Sequence, residues 1–188
     1  MRVTTLECVA QALGARINLR LDWNGEALDR LLDSAHARLV EAVVVELRMM
    51  GWEVATEVTF AIYGERGSID ILAWHPRTRT TLVVEVKSVV PDVQETLAAF
   101  DRKVRLAPQI ARERGWVGRS VGRVLVIADG RTSRRRVLAH VQTFDAFVPD
   151  RTAAVRRWLR DPDPNRPLRG LWFLRDGQSS TTGGAQAR

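Results

Sequence analysis

Residues 67–87, GSIDILAWHPRTRTTLVVEVK, decide how this 188-residue chain folds. SIDILAW and TLVVEVK are strand-like runs of β-branched and apolar residues, and HPRTRT between them carries the turn. In the second run Leu82, Val83, Val84 and Val86 are apolar on both faces, which places it inside a sheet. Glu85 and Lys87 interrupt that run, and charge in a sheet interior is costly. Upstream, WEVATEVTFAIY alternates from Val54 to Ile62 and turns through GERG, so the three runs predict an antiparallel meander.

Helices flank the meander. From Glu26 to Met50, Leu28, Leu31, Leu32, Leu39, Val40, Val43, Val44 and Leu47 form buried stripes that end at Gly51, with Asp33-Ser34 a candidate break. Pro91 opens a second helix, in which Val93, Leu97, Phe100, Val104, Ala107 and Ala111 share one face as far as Gly115. The apolar run Val124 to Ala128 then reads as a buried strand, and the helical crossover before it permits parallel pairing with TLVVEVK. Ser133 is the expected cap of one helix carrying Val137, Val141, Phe144 and Val148. A shorter helix holds Val155, Trp158 and Leu159, and LWFL is the expected last edge strand. The fold class is therefore α/β, with a mixed sheet and an α-β-β-β-α-β core followed by C-terminal helices.

Before this core, residues 4–13 predict a short helix with a Thr4-to-Glu7 capping box and Gly14 as its stop, and Ile17, Leu19, Leu21 and Trp23 alternate as a strand. The expected domain boundaries are a helix-strand fragment at 1–24, the core at 25–148, a helix and edge strand at 149–175, and a disordered low-complexity tail at 176–188. A single cysteine, Cys8, excludes an internal disulfide and fits a reducing cytoplasm. No apolar run approaches the ~18 residues of a membrane span, so a soluble protein with no membrane partner is expected.

Charge narrows the partner. The net charge of +7 points to a polyanionic partner, since such charge draws phosphate backbones by counterion release. Of 29 basic residues only Lys87 and Lys103 are lysine, and the rest are arginine. A lysine in such a chain marks a place where guanidinium would not serve.

A hairpin centred on Arg77-Thr78 pairs residues whose numbers add to 155, which sets Asp70 opposite Glu85. Opposed Cβ atoms lie about 4.5 to 5.5 Å apart, a separation at which two carboxylates share one divalent ion. Without a cation they repel by roughly 3 kcal/mol at an effective dielectric of 20. Lys87 projects from the same face, and its amine can orient or deprotonate water. The alternative is a cross-strand salt bridge on a solvated face.

Gly67-Ser68-Ile69-Asp70 followed by Glu85-Val86-Lys87, on a hairpin between helices, resembles the PD-(D/E)XK nuclease superfamily across roughly residues 35 to 128. Ile69 stands where the family name has proline. The resemblance implies a restriction-endonuclease-like fold and a deoxyribonuclease dependent on Mg²⁺ or Mn²⁺. Asp70 and Glu85 would ligate the metal, and Lys87 would position the attacking water. It also implies an acid from the preceding helix, for which Glu41 is the candidate; a solvated helix charge is the other reading of Glu41. Gln94 and Lys103 on the following helix are placed to approach the site. Enzymes of this kind that cut both strands often act as dimers, so a homodimer is among the states the resemblance implies.

Arg131, Arg134, Arg135 and Arg136 cluster at a helix start after a buried strand, where backbone N–H groups and guanidinium could hold phosphate; a plain surface charge run explains the arginines equally well, and Lys103 is a further candidate for nucleic-acid contact. His36, His75 and His140 lack metal-ligand spacing. Thr5-Leu6, Ala10 and Ala12-Leu13-Gly14 resemble the last helix of a lambda-repressor-like helix-turn-helix domain. That resemblance implies a helix-turn-helix partner or a missing upstream domain, and with it the other functional expectation, a non-catalytic DNA-binding regulator that keeps a nuclease-like fold.

Overall fold

The computed structural model describes residues 3–14 and 26–175. The expected strand around Ile17 to Trp23 and the tail after Arg175 lie outside the described residues. The chain divides into two units, Met1–Arg30 and Leu31–Arg188. In the first, helix α1 (Val3–Ala12) is followed by Gly14 at φ 66°, a left-handed conformation that suits the glycine stop. Helix α2 (Glu26–Met49) is one helix with no break at Asp33-Ser34.

The second unit is built on a six-stranded mixed sheet, and its class is α/β. In chain order come β1 (Glu53–Ile62), β2 (Glu65–His75), β3 (Thr80–Lys87), α3 (Val93–Glu113), β4 (Ser120–Ala128), α4 (Arg131–Ala139), α5 (Val141–Phe147), β5 (Asp150–Arg151), α6 (Thr152–Arg160) and β6 (Arg169–Leu174). The sheet order is β1-β2-β3-β4-β6-β5. The meander β1-β2-β3 is antiparallel. β4 pairs with β3 in parallel, which the α3 crossover makes sterically possible. β6 is not an edge strand: it lies between β4 and β5, and Leu171, Trp172 and Leu174 are buried accordingly.

Alternation along β3 sorts its residues between two apolar layers. Val83 faces α3, where Phe100, Leu106, Ala107 and Ile110 meet Leu125, Ile127 and Leu171. Leu82, Val84 and Val86 face the other way, against Leu39, Val43 and Leu47 of α2 and Val155 and Leu159 of α6. Burying each of these large side chains contributes about 1.5–3 kcal/mol, which explains why β3 is apolar on both sides.

Three helix ends differ from expectation. Asp92, not Pro91, caps α3: its Oδ1 accepts the Glu95 N–H at 2.9 Å. Gly130 occupies the cap of α4, ahead of Ser133. The single helix expected from Val137 to Val148 is two, α4 and α5, because His140 is non-helical at φ −124° and ψ 31°. Val137, Phe144 and Val148 still reach one core across that break, so hydrophobic spacing could not reveal it. Among the described residues no helix is long and apolar enough to cross a membrane.

Candidate active site

The β2–β3 ladder has the symmetry expected of it, from His75↔Thr80 to Ile71↔Val84. The next step would pair Asp70 with Glu85, and there the backbone ladder stops. Asp70 Oδ2 instead accepts the Val86 N–H at 2.7 Å, so a carboxylate takes the hydrogen bond that a β2 carbonyl would otherwise hold.

The neighbouring β1–β2 ladder is interrupted at the same place. Thr56↔Ile71 and Val58↔Ile69 are paired, whereas Glu57 and Asp70 are not. Both strands exchange faces across this gap. On β1, Ala55 packs in the α3-side core and Val54 in the α2-side core, yet beyond the gap Val58, Phe60 and Ile62 all join the α3 side. On β2, Leu72 and Ile69 lie on one side although alternation would separate them. Glu57 absorbs the turn-over with φ 52°, a conformation that costs a non-glycine residue roughly 1–2 kcal/mol. That distortion lies opposite Asp70 and releases it from the regular ladder.

Glu85 is almost wholly enclosed, its side chain 2% exposed, and both of its oxygens are engaged. Lys103 Nζ lies 2.5 Å from Oε2 and Lys87 Nζ 2.8 Å from Oε1. Lys103 Nζ also lies 3.6 Å from Asp70 Oδ1. Two carboxylates therefore meet two ammoniums, and the charges balance. Such balance is needed, because a buried carboxylate without a partner costs several kcal/mol. The salt bridge on a solvated face is excluded by the enclosure of Glu85. Burial is the strongest influence on Lys87 and works against its charge, but the charge and hydrogen bond of Glu85, together with Asp70, outweigh it and hold the amine above its ordinary value. The side chain of Lys87 remains 33% exposed and is the member of the group most open to solvent.

Lys103, expected from its helix to approach the site and to meet phosphate, belongs to this cluster, whereas Gln94 does not. It stands three residues after Phe100 and four before Ala107, both fully buried, so helical spacing already turns it inward. The chain's only two lysines converge on the two acids.

Glu41 is not brought to the quartet. Leu39 and Val43 take the inner face of α2, against the side of the sheet opposite Glu85, and leave Glu41 exposed. It lines a separate hollow of about 520 Å³ with Asp33, His36, Arg48, Thr56 and Glu57. Among the described residues no three His, Cys, Asp or Glu side chains form a metal-holding group. Gln94 is exposed on the first turn of α3.

Because β4 runs parallel to β3, with Ile127 beside Lys87, α4 begins at the same end of the sheet as the quartet. Arg136 donates to the Pro91 carbonyl in the loop after β3. Arg134 pairs with Asp129 at 2.6 Å and lies 4.7 Å over the Phe173 ring. Arg131 and Arg135 are exposed. No protein-family model matches the chain, and no curated protein sequence matches it.

Proposed function

We propose that the chain is a metal-dependent phosphodiesterase acting on DNA, of the PD-(D/E)XK kind that its hairpin resembles. The observation that supports this is the convergence of Asp70, Glu85 and Lys87 in one sheltered cluster at the end of β3. Such a cluster has no stabilising rationale of its own, since a well-packed apolar set would serve a core at least as well.

The donor set suits a hard dication. Asp70 Oδ1 and Glu85 Oε2 both face the Lys103 ammonium, so two oxygen ligands are aimed at one cationic point, the number that Mg²⁺ commonly takes from protein. Asp70 and Glu85 would hold Mg²⁺ or Mn²⁺, which supplies charge stabilisation at the phosphate and acidifies bound water. Lys87, partly exposed and paired with Glu85, would orient the attacking water or meet a phosphate oxygen. Arg131 and Arg135, exposed beyond the end of β4, are placed for backbone phosphates that position a strand without reading its sequence. A single subunit would nick and a homodimer would cut both strands. The proposed setting is the cytoplasm.

Incubation with supercoiled and branched DNA and Mg²⁺ or Mn²⁺ tests this reading. Cleavage by the wild type that is lost in Glu85→Gln and Lys87→Ala supports it, and cleavage indifferent to both substitutions rejects the assigned roles.

The charge balance of the quartet favours a second reading, because a neutral cluster is complete without metal. On that reading the chain is a non-catalytic DNA-binding regulator, with α1 resembling the last helix of a helix-turn-helix and working beside a helix-turn-helix partner. Salt-sensitive DNA binding with no cleavage under any divalent ion is its expected signature.

A further inference from the structure

The proposed metal ligands already share a cation. Lys103 Nζ is 2.5 Å from Glu85 Oε2 and 3.6 Å from Asp70 Oδ1, one oxygen from each of the two carboxylates proposed to hold the dication. Mg²⁺ binds oxygen at about 2.0–2.1 Å, so an ion on Glu85 Oε2 and Asp70 Oδ1 would compete with the ammonium for the same two oxygens. We infer that Lys103 is a tethered counter-ion that holds the two carboxylates in the metal-free protein and must swing away when a divalent ion enters. This inference rests on the metal-dependent reading of the site.

Three features carry it. Glu85 keeps a second partner, Lys87 at Oε1, so departure of Lys103 leaves it with a charge still paired. The backbone at 103 is fixed by Phe100 and Ala107 in the core, which leaves the flexible four-carbon stem as the moving part. The residue is also one of two lysines among 29 cations. A guanidinium would grip the carboxylate through a two-pronged fork and yield less readily than a compact ammonium.

The composition supplies the test. Lysine labelled with ¹³C and ¹⁵N at its end gives two signals from the whole chain, and Lys103→Arg assigns them. Addition of millimolar Mg²⁺ to the wild type is expected to release the Lys103 ammonium from its hydrogen bonds, seen as a shifted resonance with faster proton exchange. In parallel, Lys103→Met is expected to bind Mn²⁺ about tenfold or more tightly than wild type by electron paramagnetic resonance, because the competing charge is gone. Melting with chelator and with Mn²⁺ reports whether the variant folds, and the wild-type spectra need no substitution of the quartet beyond assignment. Equal or weaker Mn²⁺ binding by folded Lys103→Met, or Mg²⁺ bound with the Lys103 signal unmoved, overturns the inference and leaves the metal-dependent reading intact. Absence of Mn²⁺ and Mg²⁺ binding by wild type and variant alike overturns both.

Discussion

The β2–β3 hairpin closes in two different ways at its two ends. At the turn, His75 is 5% exposed and its needs are met by neutral groups: Nδ1 lies 2.9 Å from Thr78 Oγ1, which donates to Thr80 Oγ1 at 3.0 Å, while the Trp52 ring lies tilted beside it, 5.1 Å between centroids. At the other end the backbone ladder gives way to Glu85 and three charges around it. Both ends bury polar groups in the same pair of strands. The turn end satisfies them at little electrostatic cost, whereas the quartet end bears the desolvation of four ions. A fold that can close a hairpin with threonines has no structural need of the quartet, so the contrast itself argues for chemistry at that end.

The largest expected difference between the ends is in rate. Glu85→Gln keeps the shape and removes the charge, and we expect DNA cleavage to fall by about 10²–10⁴-fold, the range for loss of a group acting directly on the reaction. His75→Gln at the turn is expected to change it less than about twofold per folded molecule. Single-turnover assays on both variants make the comparison, and equal losses at the two ends would erase the distinction drawn between them.

Stability separates the ends next. Lys103→Met leaves the enclosed Glu85 with Lys87 alone, and the expected loss is about 3 kcal/mol in the absence of divalent ions. The double change Glu85→Leu and Lys103→Leu replaces the pair by apolar side chains and is expected to recover most of that loss while cleavage stays absent. Urea unfolding of the two variants measures this. At the turn end, Trp52→Phe removes the bond from Nε1 to the Leu159 carbonyl, 2.9 Å and buried, and should cost about 1–2 kcal/mol with cleavage per folded molecule unchanged.

The turn end and most of the architecture were legible in the sequence because they obey local periodicity. The hairpin symmetry predicted the register from His75 to Ile71, one step short of Asp70 and Glu85, the apolar run placed β3 inside the sheet, and the spacing of Val93 to Ala111 placed α3 over it. The quartet was only half legible. Lys103 shares the inward face of α3 with Phe100, but periodicity cannot tell a core-facing cation from one that snorkels to solvent. The gap at Glu57 and Asp70 was hidden for another reason: both strands turn over together, so the register sum is the same before and after and the sequence alternation shows no inserted residue. Glu41 was misplaced toward the site because helix position alone does not say which sheet face α2 covers. β6 looked like an edge because strand order is a non-local property.

The smallest expected effects are in pH, and they have opposite signs at the two ends. His75 has its pKa lowered by burial and by the neighbouring Arg77 charge, partly opposed by Asp161. Its neutral form is the folded form, so its contribution is complete above about pH 6.5 and erodes as pH falls and the unfolded chain takes up the proton first. Lys87 has its pKa raised, so its contribution is complete below about pH 10.4 and is lost as pH rises through the folded value. Thermal melts across pH should therefore show an acid limb that flattens in His75→Gln and an alkaline limb that flattens in Lys87→Met. An alkaline limb as steep in Lys87→Met as in the wild type would mean that the Lys87–Glu85 pair contributes nothing at high pH, and the raised pKa of the amine would lose its assigned cause.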